Sequence, residues 1–154
     1  MKDYRLRPIR EDDKQRILAW RNHAEVRAVM LTDHLISEAE HEAWWQRAAQ
    51  QQDLIRLIVE QDLQPVAFVN FYQINRRSRQ AWWGFYIDKA GVVGNQARLA
   101  LFNAIEQLVL EYAQHELDLV ELYCEMLEEN QVAIAMHARA GFEECDAPDR
   151  KSVV

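Results

Sequence analysis

The chain has 154 residues, 49% of them hydrophobic and 28% charged, with few glycines and prolines, so it can bury a core of its own and reads as globular. Its formal net charge of −7 argues against a general nucleic-acid binder, which carries a basic footprint, and no apolar run approaches the ~20 residues of a membrane span. Cys124 and Cys145 make no disulfide framework, and the start leads into amphipathic sequence without a signal peptide, so reduced thiols in a cytoplasmic protein are expected.

In chain order, Tyr4-Arg5-Leu6-Arg7-Pro8-Ile9 alternates apolar and polar as a half-buried strand does. The acidic turn Glu11-Asp12-Asp13 is placed to cap a following helix whose apolar side holds Ile17, Leu18 and Trp20. A second helix is predicted from Ser37 to about Gln51, because Ser37 and Glu40 have the S-x-x-E spacing of a capping box. Residues 54–60, 66–74 and 81–87 are rich in strand formers, and the cluster Arg76-Arg77-Ser78-Arg79 between the last two reads as a solvated hairpin tip.

A glycine-containing loop, residues 88–95, precedes a periodic helix with Leu99, Phe102, Ile105, Leu108, Val109 and Tyr112 on one face. A buried strand over 119–126, a helix over 128–140 closed by Gly141, and a short strand from Phe142 complete the order β-α-α-β-β-β-α-β-α-β. No repeat or linker divides this, so residues 1–154 are expected to form one α/β domain with helices on both faces of the sheet.

Three groupings could carry chemistry. The loop with Gly91 and Gly94 sits before a helix start, where glycine backbone and free amides suit a pyrophosphate, although such loops are more often plain turns. Asn130 and His137 share one side of a helix; alone, Asn130 reads as an N-cap and His137 as a surface or satisfied core imidazole. Trp20-Arg21-Asn22-His23 with Met30, Leu31, His41 and Trp44 brings a guanidinium, imidazoles and rings to the two connecting helices; such groups hold phosphate and stack a base. Metal ligation and a nucleophilic triad are set aside, since the histidines and cysteines have no ligand spacing and no Ser or Cys sits in an elbow.

The order of elements, the opening Leu6-Arg7-Pro8-Ile9 with Glu11-Asp12-Asp13, and Asn130-x-x-Ala133-Ile134-x-Met136-His137-x-x-x-Gly141-Phe142 resemble the GNAT acetyltransferases over nearly the whole chain. Trp20-Arg21-Asn22-His23, Ile36-Ser37, His41-Glu42 and Trp44 are similar to the acetyltransferases of pseudaminic acid biosynthesis, the sugar of bacterial flagellin. That resemblance implies the GNAT (acyl-CoA N-acyltransferase) fold: a mixed, mostly antiparallel sheet with a splayed central strand pair. It implies acetyl-CoA as co-substrate, no metal, and a UDP-linked 4-amino-4,6-dideoxy-N-acetyl-altrosamine as acceptor.

The resemblance also distributes roles. Phe85, Tyr86 and Ile87 would pair their backbone with the pantetheine arm; the amides of Val92, Val93, Gly94, Asn95 and Gln96 would hold the pyrophosphate; Asn130 would touch the pantetheine. His137 stands where many members carry a tyrosine that protonates the departing thiolate, and Tyr86 joins it as a catalytic candidate. Arg21, Met30, Leu31, His41 and Trp44 would line the nucleotide pocket, with Tyr72 and Gln73 facing it from the sheet.

The chain departs from the family pattern in two places. The pyrophosphate motif Q/R-x-x-G-x-G/A has no register in residues 88–102. The sequence also stops at Val154, where members continue into a final hairpin strand, so that strand is expected to be absent or to come from a partner in a homodimer. A protein N-terminal acetyltransferase and a non-catalytic GNAT-like module are the alternatives.

Overall fold

A computed structural model describes residues 2–30, 33–126, 130–147 and 150–153. Strand β1 (Tyr4–Pro8) leads through a 3-10 turn (Glu11–Asp13) into helices α1 (Lys14–Asn22), α2 (Ala24–Arg27) and α3 (Glu38–Gln50). Then come β2 (Ile55–Gln61), β3 (Gln64–Asn75), β4 (Gln80–Ile87), α4 (Asn95–His115), β5 (Glu121–Glu125), α5 (Gln131–Arg139), β6 (Glu144–Ala147) and β7 (Arg150–Val153). The strands form one sheet in the order β1-β2-β3-β4-β5-β7-β6, antiparallel throughout except where β4 meets β5.

Local chemistry explains the starts and turns. Ser37 Oγ accepts the Glu40 amide and the Glu40 carboxylate accepts the Ser37 amide, so the expected capping box opens α3. The β2–β3 hairpin turns at Asp62 and Leu63, both with positive φ, and Asp62 ties this turn to Asp3. The arginine cluster is an exposed hairpin tip between β3 and β4, as its flanking strands predict, and Arg79 is paired with Asp118.

Strand alternation divides the core between two faces. Leu57, Val59, Val69, Phe71, Trp83 and Ile87 pack with Leu101, Ile105 and Val109 of α4 and Ala133 of α5. Ile58, Phe68 and Tyr86 point the other way, onto Ile17 and Trp20 of α1 and Trp44 and Trp45 of α3. Helices therefore cover both faces, as expected.

Four expectations are corrected. The final hairpin belongs to this chain: β7 inserts antiparallel between β5 and β6, which removes the reason for a partner-supplied strand. Leu99 is exposed and Leu101 takes the core position, while Ile105 and Val109 are buried as expected. Helix α5 begins at Gln131, and Glu128 and Glu129 lie outside the described residues. Asp13 makes no side-chain cap for α1.

Asp13 is instead a buried ionic hub. Its carboxylate accepts two bonds from the Arg7 guanidinium, at 2.8 and 2.9 Å, one from the Arg10 amide at 2.7 Å, and another from Arg16. Arg7 also reaches Glu60 on β2 at 2.9 Å, so the pair fastens β1, the 3-10 turn and the sheet together. Burial alone would raise this carboxyl; the bonds from Arg7, Arg10 and Arg16 outweigh it and hold the group below the ordinary carboxylate range.

Candidate active site

The site begins where two strands part. Strand β4 pairs with β5 only from Gln80–Glu121 to Trp83–Cys124, while on its other side it stays paired with β3 as far as Ile87. Residues 84–87 therefore have half of their backbone groups turned to an edge that β5 does not cover among the described residues. A cavity of about 1350 Å³ opens at this fork and has walls on both sheet faces. Phe85, Ile87 and His137 line it from the α4–α5 side, and Arg21, His41, Trp44 and Tyr72 from the α1–α3 side.

On the α4–α5 side the loop is held by a residue outside the expected set. Arg98 donates from Nε to the Val92 carbonyl at 2.8 Å and from Nη2 to the Lys89 carbonyl at 2.7 Å, and its Nη1 pairs with Glu25 of α2 at 2.7 Å. With those carbonyls turned inward to the guanidinium, the amides on the far side of the same peptides, Ala90 and Val93, point away from it. Gly94, at φ 91°, is the N-cap of α4 and offers no side-chain cap, so the first amides of the helix are left for a ligand. Asn95 lines the cavity; Val92 is buried, whereas Val93 and Gln96 are exposed and stand off its wall. Asn130 lines it too, and its Oδ1 accepts the Ala133 amide, so it is also the N-cap of α5.

The α1–α3 side is aromatic and cationic. His41 stacks on Trp44 with centroids 5.5 Å apart, and Arg56 lies 5.6 Å from the Trp44 ring. His41 is buried and its Nε2 donates to the Lys14 carbonyl at 2.7 Å, so this imidazole braces α1 against α3 rather than standing free for a phosphate. Met30 is on the cavity wall, and Leu31 lies outside the described residues. Tyr72 stacks on Trp82; Gln73, expected beside it, sits at an exposed bulge with φ 50° and leaves the wall. Tyr86 packs on Phe68, and burial pushes its phenol up, so at neutral pH it is a proton donor and not a base.

His137 is neither a surface residue nor a loosely held one. It is 1% exposed, with Trp83 and Phe142 rings edge-on at 5.3 and 5.4 Å and Phe102 tilted at 5.6 Å, and its Nδ1 faces Glu106 of α4. Trp83 is the last β4 residue paired with β5, so the imidazole stands at the root of the fork. Glu106 and Arg98 both escape the sequence reading. The signal for Glu106 is its phase: it falls four residues after Phe102 and three before Val109, inside the apolar stripe.

Free backbone edge, uncapped glycine helix start and large cavity together fit a long, phosphate-bearing ligand. Among the described residues no group of three or more His, Cys, Asp and Glu gathers, and no helix is long and apolar enough to cross a membrane.

A family model described as an acetyltransferase (GNAT) domain matches residues 4–143, and the chain belongs to this family. It is an N-acetyltransferase that takes its acetyl group from acetyl-CoA. Among solved structures it is similar to the N-acetyltransferase PseH of Campylobacter jejuni, at 17% identity over 97% of this chain and 95% of that one, with a TM-score of 0.72. It is likewise similar to the spermidine N-acetyltransferase of Vibrio cholerae in complex with CoA and spermine, at 19% identity over 97% and 92%, TM-score 0.78. The aminoglycoside acetyltransferase AAC(6')-Ib in complex with coenzyme A follows the same fold, at 15% identity over 99% and 92%, TM-score 0.79. No curated protein sequence matches the chain.

Proposed function

We propose that this acetyltransferase acylates the amine of a nucleotide-linked amino sugar, of the UDP-4-amino-sugar type used in pseudaminic acid biosynthesis for flagellin glycosylation. The observation that carries the reading is the α1–α3 wall of the cavity, where Arg21 and the stacked His41–Trp44 pair present a cation and ring faces. A uracil ring can stack there, and a diphosphate can pair with a guanidinium.

In this reading acetyl-CoA takes the α4–α5 side. The open edge of residues 84–87, with Phe85 and Ile87, holds the arm; the start of α4 after Gly94, with Asn95, holds the phosphates; and Asn130 closes the other lip. Acetyl-CoA supplies an activated acyl carbon, and the chain does the rest. Amides of the open edge stabilise the charge that builds on the thioester oxygen, and water is kept out by Phe85, Phe102 and Trp83. His137 gives a proton to the departing sulfur.

A second acceptor class has its own support. Glu25, Glu40 and Glu125 line the same cavity, and acidic walls suit a polycationic amine. Glu25 is engaged by Arg98 and Glu40 by His34, which favours the sugar nucleotide.

Thermal unfolding with UDP, spermine or a short peptide amine separates the acceptors, because a ligand that binds only the folded chain raises its stability. UDP at 100 times its Kd adds about 2.7 kcal/mol. Protection by UDP, and thiol release with a UDP-4-amino sugar, support the proposal. Protection and turnover by spermine alone, or by the peptide alone, sink it.

A further inference from the structure

Among the described residues four polar or charged side chains are buried: Asp13, His41, Glu106 and His137. Asp13 is saturated by arginines and a backbone amide, and His41 is bonded to the Lys14 carbonyl. Glu106, 4% exposed, has a single polar partner among the described residues, the Nδ1 of His137. Around the two stand the rings of Trp83, Phe85, Phe102 and Phe142. A carboxylate with so few donors is a poor choice for stability, since a buried ion pair is often matched or bettered by apolar side chains of the same volume. Its position at the root of the fork, behind a residue that lines the cavity, suggests another use.

We infer that Glu106 is a positioning residue for acetyl transfer: it holds the Nδ1–H of His137, presents Nε2 to the cavity, and balances the charge of the imidazolium. The inference rests on the reading of His137 as the acid. When the thioester C–S bond breaks, the sulfur keeps the electron pair and takes the proton from Nε2. His137 is left neutral, with its Nδ1–H still donated to the Glu106 carboxylate. The proton lost by the acceptor amine as the C–N bond forms restores the imidazolium, directly or through solvent. The carboxylate thus lets one ring alternate between two charge states inside an apolar shell, where an unpartnered imidazolium is strongly disfavoured.

The test is an imidazole ¹⁵N spectrum of the full chain, with His137 signals assigned by their loss in His137→Gln. Neutral His137 is expected as the Nδ1–H tautomer with a bare Nε2. A bare Nδ1 with a protonated Nε2 overturns the inference, and this arm needs no activity and no Glu106 variant. In kinetics, Glu106→Gln keeps an acceptor for Nδ1–H and loses the charge. Its kcat for thiol release should fall about tenfold to a hundredfold, with KM for acetyl-CoA moving less than about twofold. An unchanged kcat overturns the role. His137→Ala reads the other premise: if it leaves kcat intact, the acid assignment of His137 fails whatever the tautomer proves to be, and the role of Glu106 falls with it.

Discussion

Asp13 and Glu106 are both buried carboxylates, yet they are treated in opposite ways. Asp13 sits in the turn between β1 and α1 and receives bonds from Arg7, Arg16 and the Arg10 amide, so its charge is neutralised and its oxygens are filled. Glu106 sits at the open fork and meets one imidazole. Saturation marks a fastening, because every lone pair is spent holding elements together. A carboxylate left with one titratable partner beside a cavity marks a place where a proton changes hands. The same distinction runs through the histidines: His41 spends Nε2 on a backbone carbonyl, whereas His137 turns Nδ1 to Glu106 and lines the cavity.

The largest expected effect breaks the fastening. Asp13→Ala leaves the half-buried Arg7 without its main partner and should cost about 3–5 kcal/mol of stability, read by chemical denaturation. A loss under about 1 kcal/mol would mean that the hub is not saturated in solution. Next comes His137→Ala, which should lower kcat by about a hundredfold or more while acetyl-CoA binding, read by isothermal titration, changes little. Arg98→Ala should have the reverse signature. Losing bonds that set the Lys89 and Val92 carbonyls loosens the loop and should raise the Kd for acetyl-CoA about tenfold, with kcat at saturation nearly kept.

The smallest effect is a pH dependence. The Asp13 carboxyl is held below its ordinary value, so its contribution is fully present above the ordinary carboxylate range, near about 4. It is lost as pH falls below that range and through the lower folded value. Melting temperature should therefore drop more steeply below about pH 4 in the wild type than in Asp13→Asn, whose side chain does not titrate there. Parallel curves would contradict the hub.

Sequence reading found what local chemistry encodes. The Ser37–Glu40 box, the strand-rich runs of the sheet and the glycine before α4 each follow from neighbours a few residues apart. What depends on distant partners escaped it. Strand β7, Arg150-Lys151-Ser152-Val153, is polar and short, and only its pairing with β5 and β6 makes it a strand. The four-residue helix α2 is too short to have a period. Leu99 and Leu101 both satisfy a helical apolar pattern, and packing against the sheet chose Leu101. At the site, Arg21, His41, Trp44, Asn130 and His137 do converge on one cavity, because the resemblance spans whole elements. Arg98 and Glu106 read as ordinary helix residues until the loop carbonyls and the imidazole across from them are in place.

The contrast between the two carboxylates is tested most directly by measuring kcat for thiol release in Asp13→Asn and Glu106→Gln side by side, at a temperature where both are folded. The predicted result is a kcat within about twofold of wild type for Asp13→Asn and at least about tenfold lower for Glu106→Gln. Equal kcat values in the two variants would contradict it, and would make Glu106 a fastening like Asp13.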